Sequence, residues 1–301
     1  MRAVRIHARW PLAASIAAVI CASASARADA AVTLGQLAPS PAVATCSGTA
    51  DYLQPSITGG NLYIARQAGT ITSWSTRSAE PGATYVFKVF RRTSDPDVFQ
   101  VIAHAPPRVL SAGINTVPVN IAVRSGDMIG LNESDGPNSC TFAQPGDGVL
   151  TRGGSLADGA SGSFGPQNNV RLNLSAALIP SNDFAVAAIA RDRKQGTASV
   201  TVNVSNPGVI VLSGKGMKKR TVAKNVAVAG TVVFHIASTG KKKRTLEKKR
   251  KVALTPTLTF TPTNGEPASQ LFTVKLLLKR RPPPSVQAPS GAVSGSRLAS
   301  G

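Results

Sequence analysis

The sequence predicts an all-β protein made of two β-sandwiches in tandem. Three observations point there. Short runs rich in Val, Ile, Thr and Phe recur between turn residues along the chain, with 27 glycines and 21 prolines as punctuation. No window collects enough strong helix formers to read as a helix. Composition and charge also change together near Ile179-Pro180-Ser181-Asn182, from Gly/Asn/Ser-rich and neutral to Val/Thr/Lys-rich and basic.

Residues 1–30 read as an export signal that is cleaved. Arg2, Arg5 and Arg9 give a basic start, and 12–22 is an apolar run of eleven residues. Alanines at alternate positions, among them Ala26, Ala28 and Ala30, then offer cleavage sites. The run is shorter than the roughly 20 residues that cross a bilayer, so no transmembrane segment is expected in the mature chain. Ile20 before Cys21 departs from a lipobox, and the arginines are not adjacent as in a twin-arginine signal. Cleavage leaves Cys46 and Cys140, which form one disulfide in an oxidising compartment. Closing a loop of that length stabilises a fold by about 4–5 kcal/mol on the chain-entropy account. Two cysteines without a nearby histidine do not fill a zinc site, and no metal or cofactor is expected.

The first sandwich is expected over 31–180. Strands are predicted at 63–64, 69–74, 85–91, 99–103, 117–123, 128–132, 140–142 and 170–176. Long loops separate them, above all 143–167. About eight strands with long crossovers suggest a jelly-roll-like arrangement. Tyr85 and Phe87 share a strand face and belong in the core, with Tyr63 as a further aromatic of the same half. Trp74, set among Ser and Thr, is the candidate for stacking on a glycan.

The second sandwich is expected over 181–280. Val252, Leu254, Pro256, Leu258, Phe260 and Pro262 alternate with Ala253 and four threonines, a period of two. Pro256 cannot donate to a ladder, so this strand should lie at an edge or be bulged there. Seven strands follow from the same pattern: 184–191, 196–204, 208–213, 221–228, 231–238, 250–262 and 269–279. The tail, 281–301, begins Arg281-Pro282-Pro283-Pro284 and continues in Ser, Gly and Ala, a composition expected to be disordered.

Residues 196–238, GTASVTVNVSNPGVIVLSGKGMKKRTVAKNVAVAGTVVFHIAS, and 251–276, KVALTPTLTFTPTNGEPASQLFTVKL, resemble an immunoglobulin-like module. Such modules recur near the carboxyl ends of secreted bacterial proteins. The marks are the Gly214-x-Gly216 turn, Ala229-Gly230-Thr231, Leu246 within the basic corner, and the strand end at 259–265. The phrases at 69–75, 87–91 and 126–131 are similar to a partner domain of such proteins. The resemblance implies an immunoglobulin-like second sandwich and export; it carries no catalytic residues.

Charge is the main functional signal. The protein has a net charge of +20, yet 31–180 holds nine Lys/Arg and nine acids. Residues 181–280 hold nineteen Lys/Arg against Asp183, Asp192, Glu247 and Glu266. Most lie in two clusters: Lys215, Lys218, Lys219 and Arg220, then Lys241, Lys242, Lys243, Arg244, Lys248, Lys249 and Arg250. Following the strands up and down places both clusters, read as loops, at one pole. A cationic crown there suits an anionic cell-wall or extracellular polymer. Aromatic residues are missing from both clusters, which argues against a specific nucleic acid partner. His104 and His235 stand in no catalytic motif, and no G-x-S-x-G occurs. The acidic stretch 132–138 lacks EF-hand spacing and reads as a turn. The expectation is a non-enzymatic adhesion protein of the extracellular space or cell surface; glycan binding around Trp74 is the alternative.

Overall fold

A computed structural model describes residues 31–42, 46, 48–134 and 139–279. The expected export signal, the tail and residues 135–138 of the acidic stretch lie outside the described residues. Among the described residues the fold is all-β apart from one short helix.

Among the described residues, twelve strands precede residue 181: β1 (Val32–Gln36), β2 (Ala50–Ser56), β3 (Gly69–Ser78), β4 (Thr84–Arg92), β5 (Val98–His104), β6 (Arg108–Val109), β7 (Gly113–Val123), β8 (Met128–Glu133), β9 (Thr141–Gly153), β10 (Ser161–Ser163), β11 (Gly165–Leu172) and β12 (Leu174–Pro180). One sheet has the order β1-β12-β3-β7 and the other β10-β5-β4-β8-β2-β9-β11, with β6 beside β4. Set aside β6, β9, β10 and β11. The remaining strands then run first-eighth-third-sixth in one sheet and second-seventh-fourth-fifth in the other, the double Greek key of a jelly roll.

The core lies between these sheets. Ile71, Trp74, Leu174 and Leu178 from one face Tyr85, Phe87, Val89 and Leu131 from the other, all buried. Trp74 stacks on Phe87 with centroids 5.8 Å apart and planes at 13°. The disulfide Cys46–Cys140 joins the segments leading into β2 and β9, with Cα atoms 5.9 Å apart.

The expected loop at 143–167 is instead largely sheet. Strands β9 and β11 form a long hairpin that widens the larger sheet beyond β2. Its centre buries a carboxylate, not an apolar side chain. Asp147 accepts hydrogen bonds from Thr58 N and Thr58 Oγ1, both at 2.7 Å, and pairs with Arg171 at 2.5 Å. A carboxylate beside Val149 on the inward face breaks the apolar alternation that would reveal the strand. The link at 154–164 folds over the outer face of the larger sheet. There Phe164 packs with Leu53, Phe90, Phe99, Val101 and Met128 in a second apolar cluster. Lys88 lies buried beneath this flap and donates to Asp51 at 2.7 Å, Ser155 Oγ at 2.9 Å and Leu156 O at 2.7 Å.

The second half contains β13 (Phe184–Asp192), β14 (Thr197–Val204), β15 (Gly208–Ser213), β16 (Thr221–Val226), β17 (Gly230–Ala237), α1 (Gly240–Lys249), β18 (Lys251–Leu254), β19 (Thr257–Pro262), β20 (Ala268–Leu271) and β21 (Val274–Leu277). Sheets β13-β14-β17 and β16-β15-β19-β20 enclose Val200, Val202, Ile210, Phe234, Leu258 and Phe260, and β18 pairs with β21. Counting β18–β19 and β20–β21 as single interrupted strands gives first-second-fifth against fourth-third-sixth-seventh, an immunoglobulin-like order. The interruption falls at Pro256, whose carbonyl accepts Phe272 N at 3.1 Å. This strand is interior, between β15 and β20, so the proline is accommodated by a break between β18 and β19 and not by the expected edge or bulge.

Helix α1 corrects the expectation of a loop at the second basic cluster. Lys, Arg, Leu and Glu are all good helix formers, so local propensity favours the helix. Its only buried residue is Leu246, and a single apolar anchor leaves no 3.6-residue periodicity to read.

The sandwiches meet through Asn206, in the turn between β14 and β15. Its Oδ1 accepts Ala68 N at 2.7 Å, and its Nδ2 donates to Ala68 O at 2.8 Å and Ser181 O at 2.6 Å. Gln67 Nε2 adds a hydrogen bond to Thr263 O at 3.0 Å.

Candidate functional site: a cationic tip

Strand β15 starts beside Asn206 and leads away from the first sandwich, so the turn at 214–220 lies at the remote end of the second. Met217, 2 % exposed, plugs that turn into the core and bridges to Ser238. Lys218 N donates to Ala237 O at 2.7 Å, and Gly214 N to Arg220 O at 2.9 Å. The buried methionine and these backbone bonds leave Lys215, Lys218, Lys219 and Arg220 on the outside, all exposed.

The same turn seats the start of α1. Thr239 N donates to Gly216 O at 2.8 Å. Gly216 has φ +81°, and a Cβ there would come within 2.6 Å of Lys242 Cγ, so the close approach requires glycine. Leu246 packs over Gly196 in the turn between β13 and β14. The helix ends at Arg250 in the left-handed conformation, φ 59°, and Arg250 O accepts Leu278 N at 2.9 Å. Lys241, Lys242, Lys243, Arg244, Lys248, Lys249 and Arg250 are all exposed.

The structure therefore brings both predicted clusters together, one on a turn and one on a helix. It adds cations that the sequence clusters do not contain. Arg193 and Lys194 occupy the turn after β13, and Lys279 N donates to Arg193 O at 2.7 Å. Arg193, Arg250 and Lys279 line one groove of about 470 Å³. Lys218 and Lys243 line another of about 420 Å³, with Leu246 in its wall. The signal for Arg193 and Lys194 was present: the same up-and-down count that unites the two clusters also places the β13–β14 turn at this pole.

Little negative charge opposes this field. Asp192 is engaged with the backbone N–H groups of Lys194 at 2.8 Å and Gln195 at 3.0 Å. Glu247 approaches Lys243 at 3.8 Å, an exposed pair that neutralises little. Lys242 Nζ donates to Ala253 O at 3.1 Å. The first turn of α1 has no acidic residue, and Thr239 makes no side-chain capping bond. The positive end of the helix dipole therefore adds to three lysines instead of being offset.

Trp74 is not a glycan platform. It is completely buried against Phe87, with no ring face open to a sugar. The outer face of the larger sheet is closed by 154–164. Asn132 and Glu133 are buried strand residues, not donors of an open acidic turn. Asn132 donates to Asp51 Oδ1 at 2.9 Å. The Glu133 carboxylate comes within 4.8 Å of the sulfurs of Cys46 and Cys140, which are committed to the disulfide. His235 is exposed and hydrogen-bonded to Ser199 at 3.0 Å, and His104 pairs with Asp158 at 2.7 Å on the surface.

No protein-family model matches the chain, and no curated protein does. Among solved structures, a β-D-glucuronidase from Dictyoglomus thermophilum aligns at 10 % identity and TM-score 0.18. The alignment covers 80 % of this chain and 45 % of that one, so the chain spans less than half of the enzyme's length. At that TM-score the likeness carries no argument about fold or activity.

Proposed function

We propose that this is an exported, non-enzymatic surface or matrix adhesion protein that holds anionic cell-wall or extracellular polymers at the tip of its second sandwich. The observation that supports this most is convergence. Two separate turns, the helix α1 and the end of the last strand deliver Lys and Arg to the end opposite the first sandwich. Summed over such a surface, the field draws in polyanions and concentrates them. The disulfide fits an oxidising compartment, and among the described residues no helix is long and apolar enough to cross a membrane.

Lysine predominates over arginine at the tip, and no aromatic residue interleaves with the cations. Both features suit charge-density recognition over base or ring stacking, so no specific nucleic acid is expected as partner. Retention on heparin-like or wall-polymer resin tests the proposal. Affinity should fall steeply and log-linearly with salt, as counterion release requires. Retention that is indifferent to salt would overturn it.

A further inference from the structure

A second feature lies at the opposite end of the second sandwich, where it meets the first. A groove of about 520 Å³ runs along this junction, within the range of small-molecule sites, which favour domain boundaries. Its floor is aliphatic: Val32, Leu62 and Ile64 from the first sandwich, backed by the buried Leu34 and Leu178, with Pro207 from the second. Asn61 and Asn264 supply amides at its rim. Arg66 is the one charged residue of the lining.

Three further observations concern Arg66. Its side chain is exposed and makes no ion pair among the described residues. The nearby carboxylate of Asp127 is already taken: Arg91 holds both oxygens, at 2.7 and 2.9 Å, and Arg124 N binds one of them at 2.7 Å. The backbone carrying Arg66 is fixed. Ala65 N donates to Asp127 O at 2.8 Å, Gly126 N to Ala65 O at 2.8 Å, and Ser125 Oγ to Arg66 O at 2.9 Å. The opposite wall is fixed as well, through Thr263 N to Pro207 O at 2.9 Å and Gln67 Nε2 to Thr263 O.

A preformed aliphatic trough with one uncompensated guanidinium, no acid and no aromatic ring selects a particular chemistry. We propose that the junction groove binds a small aliphatic carboxylate, its charged head on Arg66 and its hydrocarbon body over Val32, Leu62, Ile64 and Pro207. A guanidinium receives a carboxylate through paired N–H donors. The aliphatic floor contributes by removing apolar surface from water. The absence of a ring in the lining disfavours a sugar, which stacks on aromatic faces. This inference does not rest on the tip: the groove is formed by other residues at the other end of the sandwich.

The test titrates octanoate, and octanol as its uncharged counterpart, into the full chain, with binding followed by ligand-observed NMR. Saturable one-to-one binding of octanoate, at least about tenfold tighter than octanol, is expected. Arg66→Gln, which breaks no ion pair, should keep its melting temperature and lose octanoate about tenfold, whereas Arg66→Lys should retain most of the affinity. A chain with Lys241, Lys242, Lys243 and Arg244 replaced by Gln should bind octanoate as the parent does. Equal binding of octanol, unchanged binding in Arg66→Gln, loss of octanoate in the tip variant, or no saturable binding would each overturn the proposal.

Discussion

Replacing Lys241, Lys242, Lys243 and Arg244 together by Gln should separate what the tip does for binding from what it does for the fold. Gln matches Lys and Arg in helix propensity, so α1 is not weakened on that account. The first helical turn now loses cations that oppose the dipole, each of which costs about 0.3–1 kcal/mol at an exposed N-terminus. Stability should therefore hold or rise. Binding should move the other way. A basic residue near an anionic surface contributes about 1 kcal/mol. Two of the four deserve less: Lys242 already donates to Ala253 O, and Lys243 is partly offset by Glu247. The loss is then about 2–3 kcal/mol, or roughly 30–150-fold in Kd. The slope of log affinity against log salt should shrink by about 2–3. Fluorescence titration with a labelled polyanion at several salt concentrations reads both quantities, and calorimetry reads the stability. An unchanged salt slope, or a loss of binding that merely follows a loss of stability, would refute the reasoning.

Other perturbations probe the framework. Trp74→Ala should cost about 3–5 kcal/mol by opening a cavity beside Phe87, seen as a lowered urea midpoint. Gly196→Ala should destabilise by about 1–3 kcal/mol, because φ is +69° and a Cβ would meet Leu246 Cδ2 at 2.8 Å; thermal melts followed by circular dichroism measure it. Asn206→Ala leaves Ala68 N without its acceptor, at about 1–3 kcal/mol. Calorimetry should then resolve two unfolding transitions where the parent shows more closely coupled ones. Burial opposes the charged form of Asp147, but hydrogen bonds from Arg171 and Thr58 outweigh it and hold its carboxyl below the ordinary value of 3.8. A depressed folded-state pKa gives stability that is full above that value and is lost as pH falls through the folded one. Asp147→Asn should therefore flatten the acid limb of stability against pH in denaturant melts below about pH 4.

How far the sequence foretold this structure depended on which side of each strand was apolar. The expected strand at 208–213 coincides with β15, and those at 184–191 and 196–204 fall within one residue of β13 and β14. In β14 Val200, Val202 and Val204 alternate with Ser199, Thr201 and Asn203, while β13 and β15 are short apolar runs bounded by turn residues. The ends of the β9–β11 hairpin fall in the expected strands at 140–142 and 170–176, but its middle was hidden because Asp147 occupies an inward position that an apolar residue usually fills. Trp74 was misplaced for a different reason. The register of β3 shifts between Ile71 and Ser73, so Ile71 and Trp74, three residues apart, both face inward and break the period of two. At the tip, alternation and turn positions sufficed to unite Lys218 with Lys243. The helix that carries Lys243 had no periodic signal because Leu246 alone anchors it. The junction groove had no sequence signature at all, since Leu34, Ile64, Leu178 and Asn264 come from four distant segments.

The central claim is most directly tested by lysine footprinting of the full chain with and without a bound polyanion. Covalent labelling read by mass spectrometry should show protection of Lys215, Lys218, Lys219, Lys241, Lys248 and Lys249, while Lys224, midway along β16, keeps its reactivity. Protection spread evenly over all exposed lysines, or found at Lys224 and not at the tip, would contradict it.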